Sequence, residues 1–152
     1  MPGTNPPDGE GCRPRTGRLE LNLTLYLVLN STESLPVSAR LVYDSAQPFG
    51  IRMEFPDSTE GFTPWVFSRE LLRSGLRTPS GDGDVRIWPP CHWHGRTMVR
   101  VLLRGRGPSA MLDVPAAPLR DWLDQTLTEV PEGAEGAMLS WDEILERLVS
   151  GG

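Results

Sequence analysis

The sequence predicts an α+β domain: a seven-stranded antiparallel sheet, bent like a barrel, with one short helix and two C-terminal helices. Three observations support this prediction. Leu alternates with other residues over 19–30, short apolar runs separated by Gly and Pro follow as far as residue 114, and two acidic amphipathic segments come after them. The short spacing between the apolar runs favours antiparallel hairpins over parallel crossovers.

The first strand is the clearest element in the chain. Residues 19–29 place Leu at every second position, six times in succession. A helix would scatter these side chains around its surface, whereas a strand places them all on one face. The alternation therefore outweighs the good helix propensity of Leu.

Six further strands are predicted from apolar runs bounded by turn signals. They cover Val37–Asp44, Phe49–Phe55, Phe62–Phe67, Asp84–Trp88, Thr97–Arg104 and Ala110–Val114. The breakers between them include Pro79–Gly83 and Gly105–Pro108, and we expect these segments to be turns.

Three helices fit the remaining segments. The first has Ser68 as its N-cap and Gly75 as a left-handed stop. The second covers about Pro118–Leu127, with Leu119, Trp122, Leu123 and Leu127 in one stripe. The third begins at the capping box Ser140-Trp-Asp-Glu143 and places Trp141, Ile144, Leu145 and Leu148 on one face.

The organisation along the chain is that of one domain, as its 152 residues suggest. Residues 1–18 are rich in Pro, Gly and charge and have no periodicity, so we predict a disordered leader followed by a single domain over 19–150. Two cysteines do not make a disulfide framework. No signal peptide or membrane-spanning run is visible, and we expect a cytoplasmic protein.

The charged residues exclude some chemistry. Every basic residue is Arg and none is Lys, which excludes Schiff bases, pyridoxal anchoring and the phosphate-loop lysine. The net charge of −5 is unevenly distributed. Residues 113–152 are strongly acidic, while residues 69–106 hold eight Arg against three acids.

The most tempting chemical cluster is Cys91-His92-Trp93-His94. It offers three metal ligands, whereas a structural zinc site normally needs four, and we predict a polar turn between two strands instead.

The chain has no other His, so a Ser or Cys nucleophile lacks a separate base. The run Gly105-x-Gly107-x-x-Ala110 leads into a strand and is predicted to be a hairpin turn, not a dinucleotide loop. We therefore assign no catalytic, cofactor-binding or metal-binding residue and expect no enzyme.

Residues 86–106 interleave Arg with Trp and His. Arg86, Trp88, Trp93, Arg96 and Arg100 have the composition of a platform for single-stranded nucleic acid, with charge for the backbone and rings for stacking. The protein as a whole is acidic, so a solvated strand face is the favoured interpretation. Nucleic-acid binding stays open as the alternative function.

Several motifs in one order resemble the SsgA-like sporulation and cell division proteins of filamentous actinomycetes, and the SsgB-type branch most. They are Leu35-Pro-Val, Arg40-Leu-Val-Tyr-Asp44, Trp65-Val-Phe-Ser-Arg-Glu-Leu71, Gly75-Leu, Pro79-Ser-Gly-Asp-Gly-Asp-Val-Arg-Ile-Trp-Pro89 and the Pro115-Ala-Ala-Pro-Leu run. The resemblance covers about residues 19–149.

The resemblance implies a non-enzymatic activator of sporulation-specific division. It would help to localise the ring of the tubulin-like protein FtsZ at septum sites, directly or through an adaptor, together with an SsgA-like paralogue. It also implies a fold similar to the Whirly and guide-RNA-binding proteins, assembly as a homotrimer, and contact with the membrane through partners alone. We expect strand faces to form the trimer, because six Leu on one strand exceed what an edge strand can leave exposed.

Overall fold

The computed structural model describes residues 17–56, 64–93, 95–105 and 109–138. These residues form one antiparallel sheet of eight strands, in the order β4-β3-β2-β1-β8-β7-β6-β5. The strands are β1 Arg18–Val28, β2 Ser34–Asp44, β3 Gly50–Glu54, β4 Trp65–Ser68, β5 Ser80–Asp82, β6 Val85–Trp93, β7 Arg96–Leu103 and β8 Ala110–Pro115. The helices are α1, Arg69–Gly75, and α2, Ala116–Glu129, and a 3-10 turn covers Glu135–Met138. The sheet makes a nearly closed barrel, which confirms the α+β prediction.

The barrel has a gap between its two edge strands, β4 and β5. Helix α1 follows β4 directly and contacts β4 on one side and β5 and β6 on the other. This short helix therefore fills the space where the sheet does not close. On the opposite side of the barrel, β1 and β8 are joined by two residue pairs, Tyr26 with Asp113 and Leu27 with Leu112. That short ladder is the seam between the half formed by β1–β4 and the half formed by β5–β8.

The predicted number of strands was wrong by one. The additional strand is β5, which pairs with β6 through Ser80↔Ile87, Gly81↔Arg86 and Asp82↔Val85. It lies in a segment that we predicted to be a turn, because three polar or glycine residues show no apolar alternation. Gly83, with a φ of 62°, makes the tight turn that joins the two strands.

The predicted turn at Cys91–Trp93 is also wrong, since these residues belong to β6. The register between β6 and β7 shifts between Trp88 and Cys91, where Pro89 and Pro90 lie. Proline cannot donate to a sheet ladder, and a bulge is where a strand accommodates it. The turn to β7 follows at Gly95, with a φ of 77°.

Strand β1 lies in the middle of the sheet, between β2 and β8. The predicted alternation is confirmed: Leu25 is completely buried, and four other leucines of β1, Leu19, Leu21, Leu23 and Leu27, pack against the same core. Burying such side chains contributes about 1.5–3 kcal/mol each. The leucine face thus serves the core of its own chain, and the argument for a trimer from an exposed strand face does not hold. Leu29 and Leu35, at the β1–β2 hairpin tip, remain about half exposed.

Helix α1 begins as predicted and ends differently. The Ser68 hydroxyl accepts a hydrogen bond from the Leu71 backbone N–H at 2.9 Å, which confirms the N-cap. Gly75 is not a left-handed stop, because it is the last helical residue and its φ is not positive. Its role is close approach: a Cβ at this position would lie 2.5 Å from Ile87 Cγ2.

Helix α2 begins two residues before the predicted start and ends two residues after the predicted end. Its predicted apolar stripe is confirmed, with Leu119, Trp122 and Leu123 buried in the core. Neither α1 nor α2 is long and apolar enough to span a membrane. The helix predicted from Ser140 lies outside the described residues, as do residues 1–16 of the leader and the first part of the strand predicted over Phe62–Phe67.

A buried arginine at the start of α1 binds to α2 and to the 3-10 turn and contacts β2. Arg69 is 1% exposed, and its guanidinium donates to the Thr126 carbonyl oxygen at 2.9 Å and to Glu135 Oε2 at 2.7 Å. Its Cζ lies 4.9 Å from the centroid of the Tyr43 ring. The hydrogen bond from Arg69 holds the pKa of Glu135 below its ordinary value, against partial burial, which acts in the other direction. The charged form of Glu135 is thus part of the fold.

We predict that Glu135→Gln destabilises the protein near neutral pH and matters less in acid. The pKa of Glu135 is lower in the folded state, so its contribution is complete above its unfolded pKa of about 4.3 and is lost as the pH falls through the folded value. We expect a loss of about 2 kcal/mol in the free energy of unfolding near pH 7, because Arg69 keeps no charged partner. Urea unfolding at neutral and acidic pH measures the difference.

The control for this prediction is Glu70→Gln. Glu70 is exposed, and its partner Arg73 keeps a second carboxylate, Glu132, so we expect the loss of the Glu70 charge to cost about 0.5 kcal/mol or less. A Glu135→Gln deficit that is as large at acidic as at neutral pH would contradict the assigned role of the carboxylate charge.

Candidate partner-binding groove

The basic and aromatic residues singled out from the sequence lie on β6 and β7. Trp88 is directly opposite Arg100, and Arg86 is opposite Leu102. Because directly paired residues of an antiparallel sheet point to the same face, Arg86, Trp88 and Arg100 share the outer face of the barrel. Beyond the bulge, Trp93 pairs with Arg96. The predicted residues therefore lie along the β6–β7 pair, with Arg86 and Arg96 near its opposite ends.

The charge of this face is partly neutralised. Arg100 donates two hydrogen bonds to the carboxylate of Asp113, from Nε at 2.8 Å and from Nη2 at 3.0 Å. Asp113 is 7% exposed, although it lies on the outer face. The hydrogen bond with Asp113 raises the pKa of Arg100 above its ordinary value. The arginines of the face are therefore not equivalent, because Arg100 is already matched by an acid.

The Cys-His cluster has no assembled metal site in the described residues. Cys91 and His92 are both exposed. His92 Nδ1 lies 3.3 Å from Thr97 Oγ1, and Cys91 Sγ lies 3.9 Å from its neighbour's carbonyl oxygen. His94 lies outside the described residues, and within them no three His, Cys, Asp or Glu side chains could hold a metal ion together.

The chain after Gly105 continues into strand β8, so the glycine run does not open a helix.

A groove of about 590 Å³ lies on the outer face, beside the basic residues. Three strands and a hairpin tip form its wall: β1, β7, β8 and the connection from β1 to β2. Its lining residues are Tyr26, Val28, Asn30, Ser31, Thr32, Glu33, Ser34, Arg96, Met98, Arg100 and Asp113. The groove therefore lies across the seam between the two halves of the sheet.

The floor of the groove is apolar and one rim is cationic. Met98 is 8% exposed, and Tyr26 and Val28 are partly buried. Arg96 Cζ lies 5.2 Å from the centroid of the Tyr26 ring, a cation–π contact that holds the guanidinium above the floor. The opposite rim is the tip of the β1–β2 hairpin, and a site of this kind combines an apolar floor with a few directed polar groups.

The hairpin rim is held by its own hydrogen bonds. The side-chain oxygen of Asn30 accepts from the backbone N–H of Thr32 at 2.8 Å and from that of Glu33 at 2.9 Å. Asn30 Nδ2 donates to Glu33 Oε1 at 2.9 Å. These bonds form an Asx turn, so that the rim is already ordered without a ligand.

Sequence reasoning pointed to Arg96 and Arg100 but missed most of the groove. Tyr26 and Val28 are visible in the sequence as the outward members of the β1 alternation. Asp113 is visible as a single acid inside an apolar strand, which in a sheet usually needs a partner. Nothing in the sequence pairs Tyr26 with Asp113, because 86 positions separate the two.

We predict that Asp113→Asn lowers the free energy of unfolding by about 1–2 kcal/mol, since the buried side chain loses its charge and one of the two oxygens that accept hydrogen bonds from Arg100. Asp121→Asn, on the exposed surface of α2, is the matched control and should change stability by less than about 0.5 kcal/mol. Urea unfolding of both variants at neutral pH measures the effect. Equal stabilities for the two variants would show that the Arg100–Asp113 pair does not hold this part of the sheet.

A protein-family model matches most of the described fold. The model described as "Streptomyces sporulation and cell division protein, SsgA" matches residues 37–135. Those residues include most of β2, strands β3 to β8, both helices and the β7 and β8 parts of the groove.

Curated relatives match over most of their length. The sporulation-specific cell division protein SsgB of Streptomyces coelicolor is 39% identical over 128 residues, which are 84% of this chain and 93% of that protein. The SsgB of Frankia casuarinae is 33% identical over 138 residues, covering 91% of this chain and 96% of the relative.

Solved structures share the fold, and two of them illustrate it. A structure from a study of SsgB mutations and longitudinal cell division in Streptomyces coelicolor aligns with a TM-score of 0.75 at 39% identity, over 80% of this chain and 95% of that one. The SsgA-like sporulation-specific cell division protein of Thermobifida fusca aligns with a TM-score of 0.75 at 32% identity, over 88% and 97%. The sequence and the fold agree, and the chain belongs to the SsgA family of sporulation and cell division proteins.

Proposed function

We propose that this protein is a non-enzymatic activator of sporulation-specific cell division that helps to localise the FtsZ ring at septum sites. The observation that supports it most is the 39% identity to a protein named sporulation-specific cell division protein SsgB, over 84% of this chain. A protein of this kind acts by presenting a surface to a partner. The outer face of the barrel, opposite the core-facing side covered by α2, offers such a surface.

The proposed partners are FtsZ, contacted directly or through an adaptor, and an SsgA-like paralogue. The protein would work in the cytoplasm, be recruited to the division septum and reach the membrane through its partners. Two surfaces could face partners, the basic stretch after Trp88 and the acidic C-terminal helices. The first has the better-defined shape, because it includes the groove with Arg96 and Met98. Of the acidic helices, α2 is described, and the helix predicted from Ser140 lies outside the described residues.

The proposed assembly is a homotrimer, which would present three equivalent surfaces to a polymer and bind it by avidity. The β1–β2 hairpin tip is our proposed contact between copies. Leu29 is 51% exposed and Leu35 is 50% exposed, and Leu35 pairs with the core-facing Leu27. Two exposed leucines at one tip are best explained by a partner surface. They belong to the core-facing side of the hairpin, so a contact there leaves the groove on the outer side accessible.

The alternative function, binding of single-stranded nucleic acid through residues 86–106, is supported by the shared face of Arg86, Trp88 and Arg100. The implied likeness to Whirly and guide-RNA-binding proteins also motivates it. The carboxylate of Asp113 argues against this alternative, because it already accepts hydrogen bonds from Arg100 and would repel a phosphate backbone. A lack of anisotropy change with labelled oligonucleotides at low salt would remove this alternative.

We predict that the purified protein co-sediments with polymers of FtsZ from the same organism and does not sediment without them. Because the contact is between folded proteins with charged surfaces, we expect enrichment in the pellet to fall as salt rises. The experiment is repeated with the SsgA-like paralogue added. No enrichment under either condition would contradict both direct recruitment and recruitment through the paralogue.

We predict that Leu35→Glu converts the trimer into a monomer, as measured by light scattering after size exclusion. A carboxylate at the centre of a contact between apolar side chains loses its hydration without gaining a partner. Val66→Glu is the matched control, because Val66 is 66% exposed on β4, which is not part of the hairpin. A trimer that survives Leu35→Glu and dissociates with Val66→Glu would place the interface at the β4 edge and overturn our assignment.

A further inference from the structure

We propose that the groove between the β1–β2 hairpin tip and β7 binds an extended acidic peptide segment that inserts a large apolar side chain. The inference rests on the proposed function in one respect: the segment would belong to a protein of the division machinery. The chemistry of the groove defines the segment, and its binding can be tested without knowing the partner.

The floor selects for an apolar side chain. Tyr26, Val28 and Met98 form it, and Met98 is 8% exposed on a sheet face that bears no helix in the described residues. Methionine adapts its shape to different apolar partners and is frequent at peptide-binding surfaces. A volume of about 590 Å³ lies within the usual range for ligand sites, and it is larger than one side chain needs.

The charges give the segment its sign and its direction. Arg100 is neutralised by Asp113, whereas Arg96 forms no ion pair with any carboxylate of the described residues. Its guanidinium is exposed and is held on the Tyr26 ring, so it is positioned to receive a carboxylate. On the hairpin rim, Glu33 already accepts a hydrogen bond from Asn30 and contributes one negative charge. An acidic residue of the segment therefore gains a partner at Arg96, whereas an acidic residue beside the hairpin rim gains none, and a peptide with acids at both ends presents one to Arg96 in either direction.

The rims are pre-formed, which favours binding of a flexible segment. The Asx turn at Asn30 orders one rim, and the hydrogen bonds between Arg100 and Asp113 order the groove wall beneath the other. A site that needs no rearrangement does not lose binding free energy to its own ordering. The main entropic cost is then that of the peptide alone.

The test is a titration of fluorescein-labelled hexapeptides with the full chain, followed by fluorescence anisotropy. The sequence DDFLDD combines both features of the proposed segment. KKFLKK reverses the charge, and DDGSDD removes the apolar side chains. We expect DDFLDD to bind, and the other two peptides to bind at least about tenfold more weakly, because each has lost one of the two required contacts.

Variants locate the binding. Arg96→Glu removes the unpaired cation, and Val28→Asp places a charge in the floor; both should raise the Kd for DDFLDD about tenfold or more. Arg86→Glu is the matched control, since it makes the same charge change at an exposed arginine of the same sheet face. Arg86 is opposite Leu102, about 20 Å along β7 from Arg96, and its substitution should leave the Kd within about twofold. Circular dichroism checks that each variant is folded.

Three results would overturn the proposal. They are no binding of DDFLDD at millimolar protein, equal binding of all three peptides, and equal effects of Arg96→Glu and Arg86→Glu. Binding of an oligonucleotide that is lost with Arg96→Glu, without peptide binding, would assign the groove to nucleic acid instead.

Co-sedimentation with FtsZ separates this proposal from the proposed function. If wild type sediments with the polymer and Arg96→Glu does so equally, the function stands and the groove is not its contact surface. If wild type does not sediment and DDFLDD still binds at the groove, the peptide site stands and its partner is not FtsZ.

Discussion

The buried guanidinium of Arg69 is the interaction on which the closed form of this barrel depends. An arginine remains charged at any pH at which the protein is folded, so a residue that is 1% exposed must find its partners within the chain. It finds them in three different elements: the Tyr43 ring of β2, the Thr126 carbonyl oxygen of α2 and the Glu135 carboxylate of the 3-10 turn. Because Arg69 is the first residue of α1, these bonds fix the helix that fills the gap between β4 and β5. Burial raises the pKa of Tyr43 to about 12, with Arg69 opposing the shift, so the ring stays neutral beside the cation.

The alternation of β1 divides the sheet into two sides with different tasks. The leucines face inward, where they meet Leu119, Trp122 and Leu123 of α2 and form the core. The residues between them face outward, and Tyr26 and Val28 become the floor of the groove. A shift of one residue in the pairing of β1 with β2 would exchange the two sides. The strand that was easiest to predict thus determines both the stability of the barrel and the chemistry of its outer surface.

The sequence was sufficient for those elements whose signals are local. The β1 alternation, the Ser68 cap and the apolar stripe of α2 each depend on residues a few positions apart, and each is confirmed. Strand β5 and the end of β6 were missed because two polar residues, a glycine and two prolines argue locally for turns. The structure nevertheless pairs β5 with β6, and the end of β6 with β7.

The features that were beyond sequence reasoning depend on distant partners. Arg69 donates to residues 57 and 66 positions away, and nothing distinguishes it in the sequence from the other arginines. The groove could be predicted only in part, through Arg96 and Arg100. Apart from Met98 of β7, its remaining residues come from β1, β8 and the hairpin tip, which meet because Tyr26 pairs with Asp113.

The position of the groove over the seam links binding to the assembly of the barrel. Two residue pairs join β1 to β8, and so the two halves of the sheet share few backbone hydrogen bonds there. The Tyr26–Arg96 contact connects the same halves through side chains, since Tyr26 belongs to β1 and Arg96 to β7. A segment bound on Tyr26, Val28 and Met98 would touch both halves at once. It would therefore bind more tightly to the sheet in which β1 and β8 are paired than to a sheet in which they have separated. Any ligand that prefers the folded arrangement stabilises it by mass action. Occupation of the groove would therefore strengthen the short ladder between β1 and β8. On the opposite side of the barrel, the contacts of Arg69 hold α1 in the gap between β4 and β5.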